Sequence, residues 1–181
     1  MKINSFDADT YIVLDLPKQV SEKIKNVREY YNYPDALPVE ITLAGSSGIG
    51  VLQGDQDQGK VFEEVDEIAA KTKPVNISFS DVSSFPNTNI FFLTLPNEAP
   101  LREIHQKIKD SEIRFKESPF PFKPHCTLCN LDTIQEDEKQ KLLGVELPEE
   151  FTLDTLSVYS LQYKANKKVK VSLLHRVKLS G

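Results

Sequence analysis

The sequence has no tryptophan, only two cysteines, and no apolar run near the roughly 20 residues that a membrane-spanning helix requires. No membrane association is therefore expected. The opening "MKINSFDADT" has no apolar signal-peptide core, and two cysteines in 181 residues fit a reducing compartment. These absences make a cytoplasmic protein the expectation. Positive charge is also short, with a formal net charge of −5. That argues against an extended nucleic-acid surface, where lysines and arginines would neutralise many phosphates. It leaves room for a small phosphodiester or a single RNA end, because a local pocket can be positive on an acidic protein.

The residues present pattern as alternating strands and helices. "TYIVLDLP" (Thr10 to Pro17) reads as a strand stopped by proline. The next segment places Val20, Ile24, Val27 and Tyr31 at helical spacing, with Ser21 as a candidate cap. "PVEITLA" is a second strand, with Val39, Ile41 and Leu43 on one face and Glu40, Thr42 and Ala44 on the other. The glycine-rich run Gly45 to Gly59 reads as a flexible loop, expected as a mobile flap at a groove's rim. A helix with Val61, Val65, Ile68 and Ala69 on one face follows. Strands "VNISFS" and "NIFFLTL" are joined by a turn near Pro86–Asn87, and the next helix buries Leu101, Ile104 and Ile108. After "SPFPFKP" and "PHCTLCN" come a short helix near Gln135–Leu143 and two closing strands. The connection Lys164 to Lys168 is expected as a hairpin turn. Each half reads roughly as helix, strand, helix, strand, strand. The expected fold is thus α+β and duplicated: one bilobed domain over 1–181, two antiparallel sheets facing a central groove, helices outside.

Chemistry concentrates in "PHCTLCN". Side chains alternate along a strand, so His125, Thr127 and Cys129 are expected on one face and Cys126 and Leu128 in the core. His125 and Thr127 would stand about 6.6 Å apart along the strand. An imidazole and a hydroxyl at that spacing can address one tetrahedral group. The imidazole exchanges a proton near neutral pH, and the hydroxyl donates to a phosphate oxygen. The first half holds a counterpart, "VEITLAG". Aligning Thr42-Leu43 with Thr127-Leu128 sets Glu40 opposite His125, nearly half the chain apart.

With these two stretches the sequence resembles the two-histidine phosphoesterases, also called 2′-5′ RNA ligase-like proteins. Their mark is a pair of His-x-Thr/Ser motifs on strands of a duplicated, bilobed fold. "PHCTL" matches the second motif; "VEITL" matches the first except that glutamate stands where histidine is expected. The resemblance implies general acid/base chemistry on a phosphodiester or 2′,3′-cyclic phosphate, with hydroxyl residues holding the phosphate and neither metal nor cofactor needed. It assigns proton transfer to His125 and phosphate binding to Thr42 and Thr127, and leaves the role of Glu40 to be determined. A carboxylate about 5 Å from a phosphate charge repels it by about 3 kcal/mol at an effective dielectric near 20. Three readings of Glu40 follow: a working general base with His125 as acid, a degenerate site that binds ligand without turnover, or a residue paired with a nearby cation such as Lys123.

Other candidates have plainer readings. Lys123 and Cys129 stand where they could edge the groove. Cys126 and Cys129 face opposite sides of a regular strand and lack a second cysteine pair, so no metal site is expected. His105 falls beside an apolar helical stripe and His175 alternates with Val171, Leu173 and Val177; both read as packed histidines. Tyr159, Tyr163 and Phe122 could stack a base. The Gly45 to Gly59 run lacks the lysine and spacing of a Walker loop.

Overall fold

The apolar run before Pro17 forms β1 (Asp9–Asp15), which buries Ile12, Val13 and Leu14 in succession because both faces of the strand are covered there. A computed structural model describes residues 5–33, 37–165 and 168–181. Proline stops β1, and α1 (Lys18–Tyr30) starts with Pro17 at its N-cap. Ser21 is not the cap: its hydroxyl donates to the Leu16 carbonyl. The chain continues through β2 (Glu40–Ala44), β3 (Val51–Leu52), α2 (Gln58–Ala70), β4 (Val75–Ile77), β5 (Val82–Ser84) and β6 (Ile90–Leu93). Then come α3 (Ala99–Lys109), β7 (Phe115–Lys116), β8 (Cys126–Asn130), α4 (Glu136–Leu143), β9 (Phe151–Leu153), β10 (Thr155–Tyr163) and β11 (Val169–Lys178).

The architecture is α+β with antiparallel sheets. One sheet runs β11-β10-β1-β2 and another β5-β6-β8; β3-β7 and β4-β9 form two short ladders. The helices bury the expected apolar stripes: Val61, Val65, Ile68 and Ala69 of α2, and Leu101, Ile104 and Ile108 of α3. Asp57 caps α2 by accepting from the Lys60 amide.

The duplication is written in strand register. Val13 pairs with Thr42 and Ile12 with Ala44, so Leu43 is an extra residue in β2. Phe92 pairs with Thr127 and Phe91 with Cys129, so Leu128 is an extra residue in β8. The same bulge thus falls at the same place in both motif strands. Each bulge shifts the alternation, which puts two consecutive side chains into the core. Leu43 and Ala44 are both buried, and so are Leu128 and Cys129. This corrects the expectation for Cys129: it does not share the face of Thr127 and lies in the hydrophobic core.

Three further expectations change. The Gly45 to Gly59 segment is not a loose flap. It contains β3 and the start of α2, and Ile49, Gly50 and Leu52 are buried. A side chain at Gly50, whose φ is +84°, would meet the Lys116 carbonyl oxygen at 1.7 Å, so only glycine fits beside β7. "FTLDTLSVYSLQY" breaks at Asp154 into β9, which pairs with β4, and β10, which pairs with β1. "VNISFS" is a strand only over β4; β5 follows, and the turn with Asn87 at positive φ joins β5 to β6. In the final hairpin the Lys164 amide donates to the Lys168 carbonyl, while residues 166 and 167 of the expected turn lie outside the described residues.

Candidate functional site

β2 and β8 lie against each other, and the Cys126 thiol meets the Glu40 backbone. Glu40 and Thr42 project from β2, Thr127 projects from β8, and His125 stands one residue ahead of β8, at matching offsets from the two bulges. All four side chains are partly exposed.

A bulge leaves a peptide group without its ladder partner. Both motif strands solve this with a side chain from a helix. Arg28 of α1 donates through Nη2 to the Thr127 carbonyl at 2.7 Å, and through Nη1 to the Leu37 and Pro38 carbonyls. His105 of α3 meets the Leu43 carbonyl through Nδ1 at 2.7 Å, and its ring stacks on Phe122 at 3.7 Å. Each helix belongs to one half of the chain and holds the motif strand of the other: α1 contacts β8, and α3 contacts β2. His105 is therefore a packed histidine, as expected. Phe122 stacks on His105 and lines an open cavity with it, Gly48 and Phe120.

The Glu40 carboxylate accepts from the Thr42 hydroxyl at 3.0 Å to each oxygen. Burial pushes its pKa up to about 7, against the opposing pull of the Thr42 hydrogen bond and the Arg28 charge; Asp15, its partner in β1, adds to the rise. Lys123 does not pair with Glu40. Its ammonium pairs with Glu98, which also binds Arg102 at 2.6 Å, so Lys123 is not that cation; the charge acting on Glu40 is that of Arg28. The Lys123 carbonyl instead takes the His125 Nδ1–H at 2.5 Å, which leaves Nε2 as the free ring nitrogen. The His125 ring packs edge-on to Phe85, with centroids 5.3 Å apart, and against Phe92 at 5.0 Å. Burial lowers its pKa below the ordinary imidazole value, opposed by the Lys123 carbonyl bond and reinforced by the Lys123 charge.

Burial pushes the Cys126 thiol up to about 12 and that of Cys129 to about 11, so neither is a nucleophile near neutrality. Among the described residues, no group of three histidine, cysteine, aspartate or glutamate side chains could hold a metal ion. In the same residues no helix is long and apolar enough to cross a membrane. His175 bonds Asp66 through Nε2 at 2.7 Å and stacks on Phe62, which ties β11 to α2.

Sequence pattern does not mark Arg28, Tyr11 or Tyr33 as neighbours of the site. The one signal for Arg28 is its place four residues after Ile24, on the buried side of α1. Tyr11 packs its ring beside the Thr42 methyl, in space that Gly45 leaves open, and Glu40 lies close enough to raise the pKa of both Tyr11 and Tyr33. Burial is the main cause of each rise, and Tyr163 also contributes to both.

The model of the 2′-5′ RNA ligase superfamily matches residues 16–164, which include both motif strands. The chain belongs to the 2′-5′ RNA ligase superfamily. A relative in Geobacillus kaustophilus (strain HTA426) that bears the name phosphoesterase is 31% identical over 120 residues, a match spanning 65% of this chain and 66% of the relative. The fold is also that of E. coli LigT, whose complex with 3′-AMP superposes with a TM-score of 0.64 at 16% identity, covering 96% of this chain and 99% of that one. A Thermus thermophilus structure agrees equally, with TM-score 0.64, 16% identity, and coverage of 96% and 98%. A phosphoesterase- or ligase-like function follows from superfamily membership.

Proposed function

We propose that the chain is one bilobed phosphoesterase domain that hydrolyses a 2′,3′-cyclic phosphate or a related RNA-derived phosphodiester by metal-independent acid–base chemistry. The observation that carries this reading is the duplicated register, which gives Glu40 and His125 equivalent places beside Thr42 and Thr127. Glu40 stands where the resemblance leads one to expect a histidine. LigT has been crystallised with 3′-AMP and with phosphate, which supports a phosphate ester as the ligand of this fold's groove.

The two environments push the proton carriers in opposite directions, and this decides their roles. His125 is favoured neutral and Glu40 is favoured protonated up to about pH 7. The assignment thus reverses the simplest reading of a glutamate as base. His125 Nε2 takes the proton of the attacking water as oxygen bonds to phosphorus. The bond from phosphorus to the leaving ribose oxygen breaks, and Glu40 gives that oxygen its proton. The product is a phosphomonoester, and the pair resets by exchanging one proton with solvent. A protonated Glu40 also removes the repulsion that a carboxylate would exert on the phosphate. Thr42 and Thr127 donate hydroxyls to the phosphate oxygens, with Thr42 turning from Glu40 to do so.

The test is hydrolysis of a 2′,3′-cyclic nucleotide in the presence of a chelator, across pH. Turnover should fall as pH rises above about 7, where Glu40 loses its proton. A rate that instead climbs through pH 7 would make Glu40 the base. No turnover, with retained binding of a nucleoside 3′-phosphate, would mark a binding protein on the same scaffold.

A further inference from the structure

Arg28 is a buried cation held by dipoles rather than by an anion. The residue is 3% exposed, and each hydrogen bond it makes among the described residues ends on a backbone carbonyl. Its Nε is buried with no partner among those residues, and its guanidinium carbon lies 5.4 Å from the centre of the Tyr33 ring. Burying a charge costs folding energy, which the carbonyl bonds offset. They satisfy N–H groups but leave the positive charge uncompensated.

Those bonds reach both halves of the site. Nη2 donates to the Thr127 carbonyl on β8 at 2.7 Å. Nη1 donates to the carbonyls of Leu37 and Pro38 at 3.0 and 3.1 Å, on the segment that leads into Glu40. One side chain thus ties the strand of the Thr127 hydroxyl to the entry of the strand that carries Glu40. A guanidinium suits this task because its N–H groups point in fixed directions, whereas an ammonium is a point charge on a flexible stem.

The charge also acts on the proton carrier. It favours the ionised form of Glu40, against burial and the Asp15 charge on β1. Thr42 on β2 works in the same direction by donating to the carboxylate. Tyr11 on β1, Tyr33 after α1 and Cys126 on β8 also face Glu40, and burial raises the pKa of each, so all three are neutral near pH 7.

We infer that Arg28 is a positioning residue of the reaction: it sets the distance between Thr127 and Glu40, and it stands behind the site as the positive charge that a phosphate meets. This rests on the function proposed above.

The experiment measures kcat, KM and the pH profile on a 2′,3′-cyclic nucleotide for wild type, Arg28→Lys and Arg28→Met, each checked for native circular dichroism. Arg28→Lys keeps the charge and loses the fork. Its kcat should fall about tenfold with KM nearly unchanged, while the alkaline fall in turnover stays near pH 7. Arg28→Met loses the charge as well. Glu40 then holds its proton to higher pH, so the alkaline fall should move up by about one pH unit and KM should rise. If the methionine variant does not fold, Arg28→Gln supplies the uncharged form. A wild-type kcat in Arg28→Lys, or an alkaline fall that stays in place in the uncharged variant, overturns the inference and leaves the proposed function standing. If wild type does not turn over the nucleotide, both are overturned.

Discussion

The two motif strands share a register, a bulge and a threonine, yet they carry different proton chemistry. Immediately ahead of β8 an imidazole is pinned by a backbone carbonyl and boxed by two phenylalanines, and burial favours its neutral form. On β2 a carboxyl sits beside Asp15 and Thr42, and burial favours its protonated form. The supports differ as well: a guanidinium bonds three carbonyls around β8 and the entry to β2, whereas one imidazole serves the β2 bulge. A duplicated scaffold thus fixes where a side chain stands and leaves its environment to set the charge.

The difference can be broken most sharply at the histidine. His125→Ala should lower turnover of a cyclic phosphate about 10³-fold, with the fold intact by circular dichroism. Arg28 comes next. Arg28→Met leaves the Thr127, Leu37 and Pro38 carbonyls without their donor, and should cost about 3–4 kcal/mol in urea unfolding. An effect no larger than that of a surface residue would mean that water replaces the guanidinium.

The glutamate half gives a signed pH test. A carboxyl raised from 4.5 to about 7 on folding stabilises the protein below pH 4.5, and that contribution is lost as pH rises through 7. Glu40→Gln removes the ionisation. It should therefore match wild type in stability near pH 4 and exceed it by at most about 3 kcal/mol at pH 8, while losing the alkaline fall in any remaining turnover. Equal stability curves at both pH values would show that Glu40 ionises normally. The smallest effect is expected at the other bulge. His105→Phe keeps the stacking on Phe122 but not the bond to Leu43, and should cost about 1–2 kcal/mol. A loss as large as that of Arg28→Met would make the two supports equivalent.

Much of this was legible in the sequence. The threonine–leucine pair repeated in both halves revealed the duplication, and helical periodicity picked the buried faces of α2 and α3. What stayed hidden depends on contacts distant in sequence. Strict alternation placed Cys129 beside Thr127, because a bulge leaves no mark in a stretch of five residues. Arg28 offers only its place on the buried side of α1, because its partners on β8 and ahead of β2 are distant in sequence. A further echo is visible only with the register in hand: "IVLDLP" and "FFLTLP" occupy the same place against the two motif strands, so the matching residues Asp15 and Thr94 part the halves as much as Glu40 and His125 do.

The pairing of β1 with β10, Asp9 against Leu161 through Leu14 against Leu156, has a consequence for biosynthesis. β1 sits between β10 and β2 in its sheet, and the helix that follows it must reach Thr127 on β8. The strand bearing Glu40 is thus translated early but cannot be locked in place until β8 and β10 have left the ribosome. The half made first is the half that matures last, and on the nascent chain it is the part most in need of shelter from premature association.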